Sequence, residues 1–97
     1  MARYDVHRIS KMLVLDVQAP LLDHIATRII IPLISEVKAP RPIGELNPVF
    51  NFQGERYMLL TQALASVPLK ELGKAMGSLE AHHDQIAKAL DLLLTGF

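Results

Sequence analysis

The chain has 97 residues, 51% of them apolar, with ten lysines and arginines set against ten aspartates and glutamates. That length suits one domain (1–97) with more grease than a core of its size readily hides, so a homodimer interface or partner surface is expected; the excess of positive charge that a nucleic-acid binder turns toward phosphates is missing, and no direct nucleic-acid contact is expected. There is no cysteine for a disulfide or thiol nucleophile, the longest apolar run (29–34) is far too short for a membrane, and the first ten residues lack a signal peptide's apolar core, so a cytoplasmic protein without membrane contact is expected.

Residues 3–9 and 12–18 are short runs suited to a pleated surface and separated by Ser10 and Lys11, which predicts an antiparallel pair with Leu13, Leu15 and Val17 on one face. Residues 19–26 interrupt the pattern with a proline, placing Leu21 and Leu22 in a loop. A third strand follows over 27–37, where Pro32 suggests an edge or a bulge. Three prolines and a glycine make 38–48 a loop. Next comes the clearest hairpin, in which Gln53 and Gly54 form a two-residue turn between Phe50 and Phe52 on one arm and Tyr57 and Leu59 on the other. Residues 65–69 are at most a strand end, and 70–77 a connection.

From Ser78 the period changes to that of a helix, predicted over 79–95 with Ser78 as its cap. At about 100° per residue, Leu79, Ile86, Leu90, Leu93 and Phe97 fall within about 60°, the core-facing stripe. Leu92 points away from it. Leu94 lies at its edge beside Asp91 and Thr95, leaving a mixed patch near the helix end, and Asp91 there meets the negative end of the helix dipole, which a partner's cation would relieve. Short strands followed by one terminal helix predict a mainly β chain: a small barrel or strongly bent sheet with one C-terminal α-helix packed on it.

No glycine-rich phosphate loop, nucleophile elbow or metalloprotease motif occurs, and the chain is expected not to be an enzyme. Adjacent His82 and His83 diverge by about 100° on a helix, so no metal and no cofactor are expected; His83 reads as packed and His82 as solvated. Arg3, His7, His24 and Arg28 have the chemistry for RNA cleavage, yet no spacing unites them. Arg3 and His7 read as outward strand residues and His24 as a loop residue.

Several segments together resemble the CcdB toxins of toxin–antitoxin modules: DVQ (16–18), LLD (21–23), TRIIIPL (27–33), ELNPV (45–49), MLLTQALASVP (58–68) and the terminal TGF. They occur in family order at nearly family spacing, with a shorter loop around 34–44. The resemblance implies a homodimer of SH3-like barrels, each with a C-terminal helix, that binds the dimerisation region of the DNA gyrase A subunit and traps the enzyme on cleaved DNA. It also implies an antitoxin whose disordered C-terminal segment wraps the dimer; the proline-rich loop 38–48 is a candidate for part of that surface. Matched onto this chain, the gyrase-contacting positions are Leu21, Leu22, Asp91, Leu94, Thr95, Gly96 and Phe97. The best-known members carry tryptophan in place of Thr95 and isoleucine in place of Phe97. Two alternatives stay open: an endoribonuclease toxin of the same fold, and a non-toxic member that dimerises and binds antitoxin.

Overall fold

The computed structural model describes residues 2–96, and among them the chain forms seven strands, several short 3-10 turns and one α-helix. Strands β1 (Asp5–Ile9) and β2 (Met12–Asp16) pair antiparallel across Ser10 and Lys11, from Ile9 opposite Met12 to Val6 opposite Leu15. A long strand, β3 (Thr27–Ser35), pairs with β2 on one side. On its other side it pairs with β6 (Ala65–Pro68) through residues 27–30 and with β5 (Glu55–Leu59) through residues 33–35. Strand β4 (Val49–Phe52) continues beyond β5, and the two-residue strand β7 (Gly77–Ser78) closes against β1. The result is a curled antiparallel sheet, a half-barrel, with one C-terminal helix, α1 (His83–Thr95), packed on it.

The placement of Pro32 corrects the edge-strand expectation, because β3 is central. In extended backbone a residue's N and O point to the same side. The Pro32 carbonyl accepts from Leu60 N–H, so its donorless nitrogen also faces the side where β3 changes partner from β6 to β5. No ladder bond is required there, and the proline is tolerated inside the sheet.

The hairpin forms as the sequence predicts, with Gln53 and Gly54 both at positive φ (51° and 84°), the backbone that a tight two-residue turn between twisted strands requires. Phe50 stands opposite Tyr57 and Phe52 opposite Glu55, while Leu59 lies beyond the ladder, its N–H bonded to the Pro48 carbonyl. Leu13, Leu15 and Val17 share one core with Val6, Ile31, Leu33, Phe50, Phe52 and Leu59. β2 is nevertheless buried on both faces: Val14 and Asp16 are fully enclosed too, along with Ile30 and Met58 of the same side.

Helix α1 caps that core through Ile86 and Ala89, which have no exposed surface, and each apolar side chain enclosed as fully as Ile86 contributes about 1.5–3 kcal/mol. The helical region begins at Glu80, one residue after the predicted start at Leu79, and its first turn, Glu80–His82, is 3-10, entered with Ser78 Oγ accepting from Glu80 N–H at 3.1 Å. The tighter turn rotates the residues after it relative to an α register, and this reverses the expected histidine roles. His82 lies against the Phe50 ring, with centroids 4.7 Å apart, whereas His83 is exposed and paired with Asp84 at 3.1 Å. Leu92, expected to point away, is half-buried like Leu93; Phe97 lies outside the described residues. Among the described residues no helix is long and apolar enough to cross a membrane.

Candidate functional site

Two surfaces stand out, at opposite ends of the β2–β3 ladder. At one end the chain leaves β2 after Asp16 and returns in β3 at Thr27, and the connection carries a 3-10 turn, Pro20–Leu22, none of whose residues is buried. Leu21 is 86% exposed and Leu22 41%. Beside this loop ends α1. Leu90 is half-buried against the core, and Leu94, one turn later on the same side, overhangs the barrel and is 70% exposed. Leu22, Leu90, Asp91 and Leu94 line one groove of about 370 Å³ together with Arg3 and Leu64. Leu22, Asp91 and Leu94, singled out in the sequence from segments about seventy positions apart, are therefore neighbours in space, with Leu21 in the adjoining turn. Thr95 and Gly96 are exposed at the helix end, and Phe97 lies outside the described residues.

The helix end also has an internal task that the resemblance does not show. Gly96 adopts φ 82°, and its N–H reaches the carbonyls of Asp91 (3.2 Å) and Leu92 (3.1 Å), while Thr95 Oγ1 donates to the Asp91 carbonyl at 2.7 Å. This is a left-handed glycine cap, which satisfies carbonyls that the last turn leaves open. A glycine directly after the last periodic residue is the signal that could have disclosed it.

The leucine loop is tied down by polar side chains. Gln18 donates through Nε2 to the Leu22 carbonyl (2.8 Å) and accepts from Ile29 N–H at Oε1 (3.0 Å). Arg28, only 1% exposed, donates through Nε and Nη2 to Asp16 Oδ2 (3.0 and 2.6 Å) and through Nη1 to Asp23 Oδ1 (2.7 Å). Burial works against the Arg28 charge, but hydrogen bonds to Asp23 and Asp16 and the charge of both carboxylates outweigh it, and its pKa is raised above the ordinary guanidinium value.

At the ladder's other end β2 and β3 part, leaving a cleft of about 400 Å³ between the β1–β2 turn and the far ends of β3 and β5. Arg8, Lys11 and Lys38 line it with Glu55 and Tyr57, and among the described residues none of these three cations makes an ion pair. Tyr57 donates to Glu55 Oε1 at 3.2 Å. Burial first, and then that bond, raises its phenol above the ordinary 10.0. Overall neutrality thus conceals a local positive surface.

The four residues considered for RNA cleavage are engaged separately. Arg28 is locked in its carboxylate cluster, Arg3 stacks on the Tyr4 ring at 4.9 Å, and His24 is an exposed loop residue. His7 was expected to face outward and is instead buried, because the segment leading into β7 folds along β1: Gly73 N–H bonds to the Arg8 carbonyl and Met76 N–H to that of Val6. His7 Nδ1 donates to the Gly73 carbonyl (2.8 Å), and Nε2 is enclosed without a partner. Among the described residues no three potential ligands gather to hold a metal.

Solved structures share this architecture. An endoribonuclease from a mycobacterial species superposes with a TM-score of 0.82 at 19% identity, covering 97% of this chain and 90% of its own. A mycobacterial endoribonuclease in complex with its cognate antitoxin gives 0.83 at 19% identity, covering 97% and 94%. The Mycobacterium tuberculosis toxin MazF-mt6 gives 0.75 at 14% identity, covering 95% of each chain. The expectation that the chain is not an enzyme is corrected by this likeness, because proteins named for RNA cleavage are built on the same fold. That expectation rested on missing linear motifs, whereas a curled sheet assembles its surfaces from residues distant in sequence. The CcdB family model, described as CcdB protein, matches residues 3–96. With nearly the whole length matched and the half-barrel and terminal helix in place, the chain belongs to the CcdB family of toxins.

Proposed function

We propose that this protein is the toxin of a toxin–antitoxin module, that it acts as a homodimer on the DNA gyrase A subunit, and that the leucine loop and the end of α1 form the contact surface. The observation that carries this reading is the shared groove of Leu22, Asp91 and Leu94, with Leu21 exposed in the adjoining turn. Isolated exposed leucines need no explanation, but several converging on one groove with an acid at its rim make a patch suited to a protein partner. Covering Leu21 and Leu94 stabilises a complex by about 1.5–3 kcal/mol each before ordering costs. Asp91 adds a charge that a cation on the partner satisfies. Binding cleaved gyrase–DNA more tightly than the resealed form is sufficient to accumulate the break. An antitoxin partner is supported by the related fold solved with its cognate antitoxin.

The test is incubation of the purified protein with gyrase, supercoiled DNA and ATP. Linear, protein-linked DNA is expected, and its loss on deleting Gly96 and Phe97. Full activity of that truncated form rejects the surface assignment. A dimeric mass in solution is expected at micromolar concentration.

A second reading, endoribonuclease activity, is favoured by a separate observation: the cleft with unpaired Arg8, Lys11 and Lys38, on a fold shared with proteins named endoribonucleases. Incubation with RNA in the same preparation separates the two. Cleavage lost when the cleft cations are reversed assigns the activity to that cleft.

A further inference from the structure

We propose that Gln18, Asp23 and Arg28 are positioning residues that preorganise the Leu21–Leu22 turn for its partner; the partner is that of the proposed function, whereas the clamp belongs to the free protein. Three of the segments that carry the family resemblance, 16–18, 21–23 and 27–33, converge on it. The turn has no buried residue of its own, and Leu22, 41% exposed, is the one that rests in the groove, so apolar packing alone does not fix it. Its internal bonds, Leu22 N–H to Ala19, Asp23 N–H to Pro20 and Ile25 N–H to Leu22, define its shape without fixing it to the barrel.

Attachment comes through two arms. Gln18 Nε2 grips the Leu22 carbonyl, and Arg28 Nη1 grips Asp23 Oδ1. Both donors are anchored from inside: Gln18 by Ile29 N–H, and Arg28 by Asp16, whose other oxygen accepts from Gln18 N–H at 3.0 Å. The arms thus join one connected network across the last residues of β2 and the first of β3. Its inner half is enclosed, while Asp23 remains 47% exposed.

The two halves therefore have separable roles. A partly exposed ion pair adds little to folding, and a buried pair is itself weak evidence of a stability role. An arm that reaches a turn at the surface does something else: it restricts the turn to the arrangement in which both leucines are presented. If only a fraction of molecules hold that arrangement, apparent affinity falls by that fraction, and the loss appears in the association rate.

The experiment uses the full chain and two readouts. In the free protein, Asp23→Ala is expected to raise amide exchange at residues 21–25 about tenfold while leaving β2 and β3 protected, and Asp23→Asn, which keeps an acceptor, to restore part of the protection. Against an immobilised gyrase A fragment, Asp23→Ala is expected to lower the association rate about five- to tenfold with dissociation unchanged, whereas Leu21→Ala speeds dissociation. Wild-type exchange in Asp23→Ala overturns the clamp, and faster dissociation with unchanged exchange shows Asp23 to be a direct contact instead. If the wild type does not bind gyrase, the exchange readout still decides the clamp, and only the choice of partner fails.

Discussion

The two ends of the β2–β3 ladder treat charge in opposite ways. Where the ladder meets the leucine loop, Asp16 and Arg28 are enclosed and joined to Asp23, and the surface left outside is mainly apolar, with Leu21 and Leu94 well exposed and Asp91 at its rim. Where the strands part, Arg8, Lys11 and Lys38 line an open cleft without ion-pair partners among the described residues. One end encloses its cation among carboxylates and presents leucines, and the other leaves its cations free for an anion. A chain with zero net charge can therefore carry two surfaces of opposite character, and each suits a different class of partner.

Substitutions at both ends sharpen or break this contrast. The largest effect is expected inside the charge cluster: Asp16→Ala removes the main partner of a buried guanidinium and should lower unfolding free energy by about 3–5 kcal/mol in urea titration, against no more than about 1 kcal/mol for Asp23→Ala. Equal losses for the two would contradict the division into an inner anchor and an outer arm. Next, Leu94→Asp puts a charge into the apolar groove and should raise the concentration needed for half-maximal gyrase cleavage by about 30-fold or more, with the fold intact by circular dichroism. A smaller effect is expected in the cleft. Reversing Lys11 and Lys38 to glutamate should weaken binding of a fluorescent single-stranded RNA about tenfold and flatten its salt dependence, while gyrase cleavage stays at the wild-type level. Loss of gyrase cleavage in that double variant would merge the two surfaces into one.

The smallest effect concerns pH. Because the fold raises the Tyr57 phenol above 10.0, it favours the neutral form. That contribution is complete below pH 10 and is lost as pH rises through the higher folded value. Thermal melts from pH 9 to 11 should show a shallower alkaline decline for Tyr57→Phe than for the wild type.

Much of the architecture was legible because local chemistry agreed with the final fold. The Gln53–Gly54 turn, the Ser10–Lys11 pairing and the helix periodicity each depend on neighbours in sequence. What could not be read depends on tertiary contact. Pro32 looks like an edge signal until β3 is seen to exchange β6 for β5 beside it. His7 looks outward until the segment before β7 covers it, and His82 and His83 exchange roles because one 3-10 turn shifts the register. Of the proposed contact residues, the angular reading located Leu94, Asp91 and Thr95, but only the resemblance linked them to Leu21 and Leu22. Nothing in the sequence disclosed the basic cleft, since Arg8 and Lys11 of the first hairpin meet Lys38 only through the fold.

The most direct test is one titration of wild-type and Leu94→Asp protein into gyrase, supercoiled DNA and ATP, with linear protein-linked DNA as the readout and RNA included as a second substrate. The account predicts linear DNA with the wild type and little or none with the variant, whatever happens to the RNA. A wild-type protein that yields no linear DNA yet cleaves the RNA, in a manner abolished by reversing Lys11 and Lys38, would contradict it and move the function to the other end of the ladder.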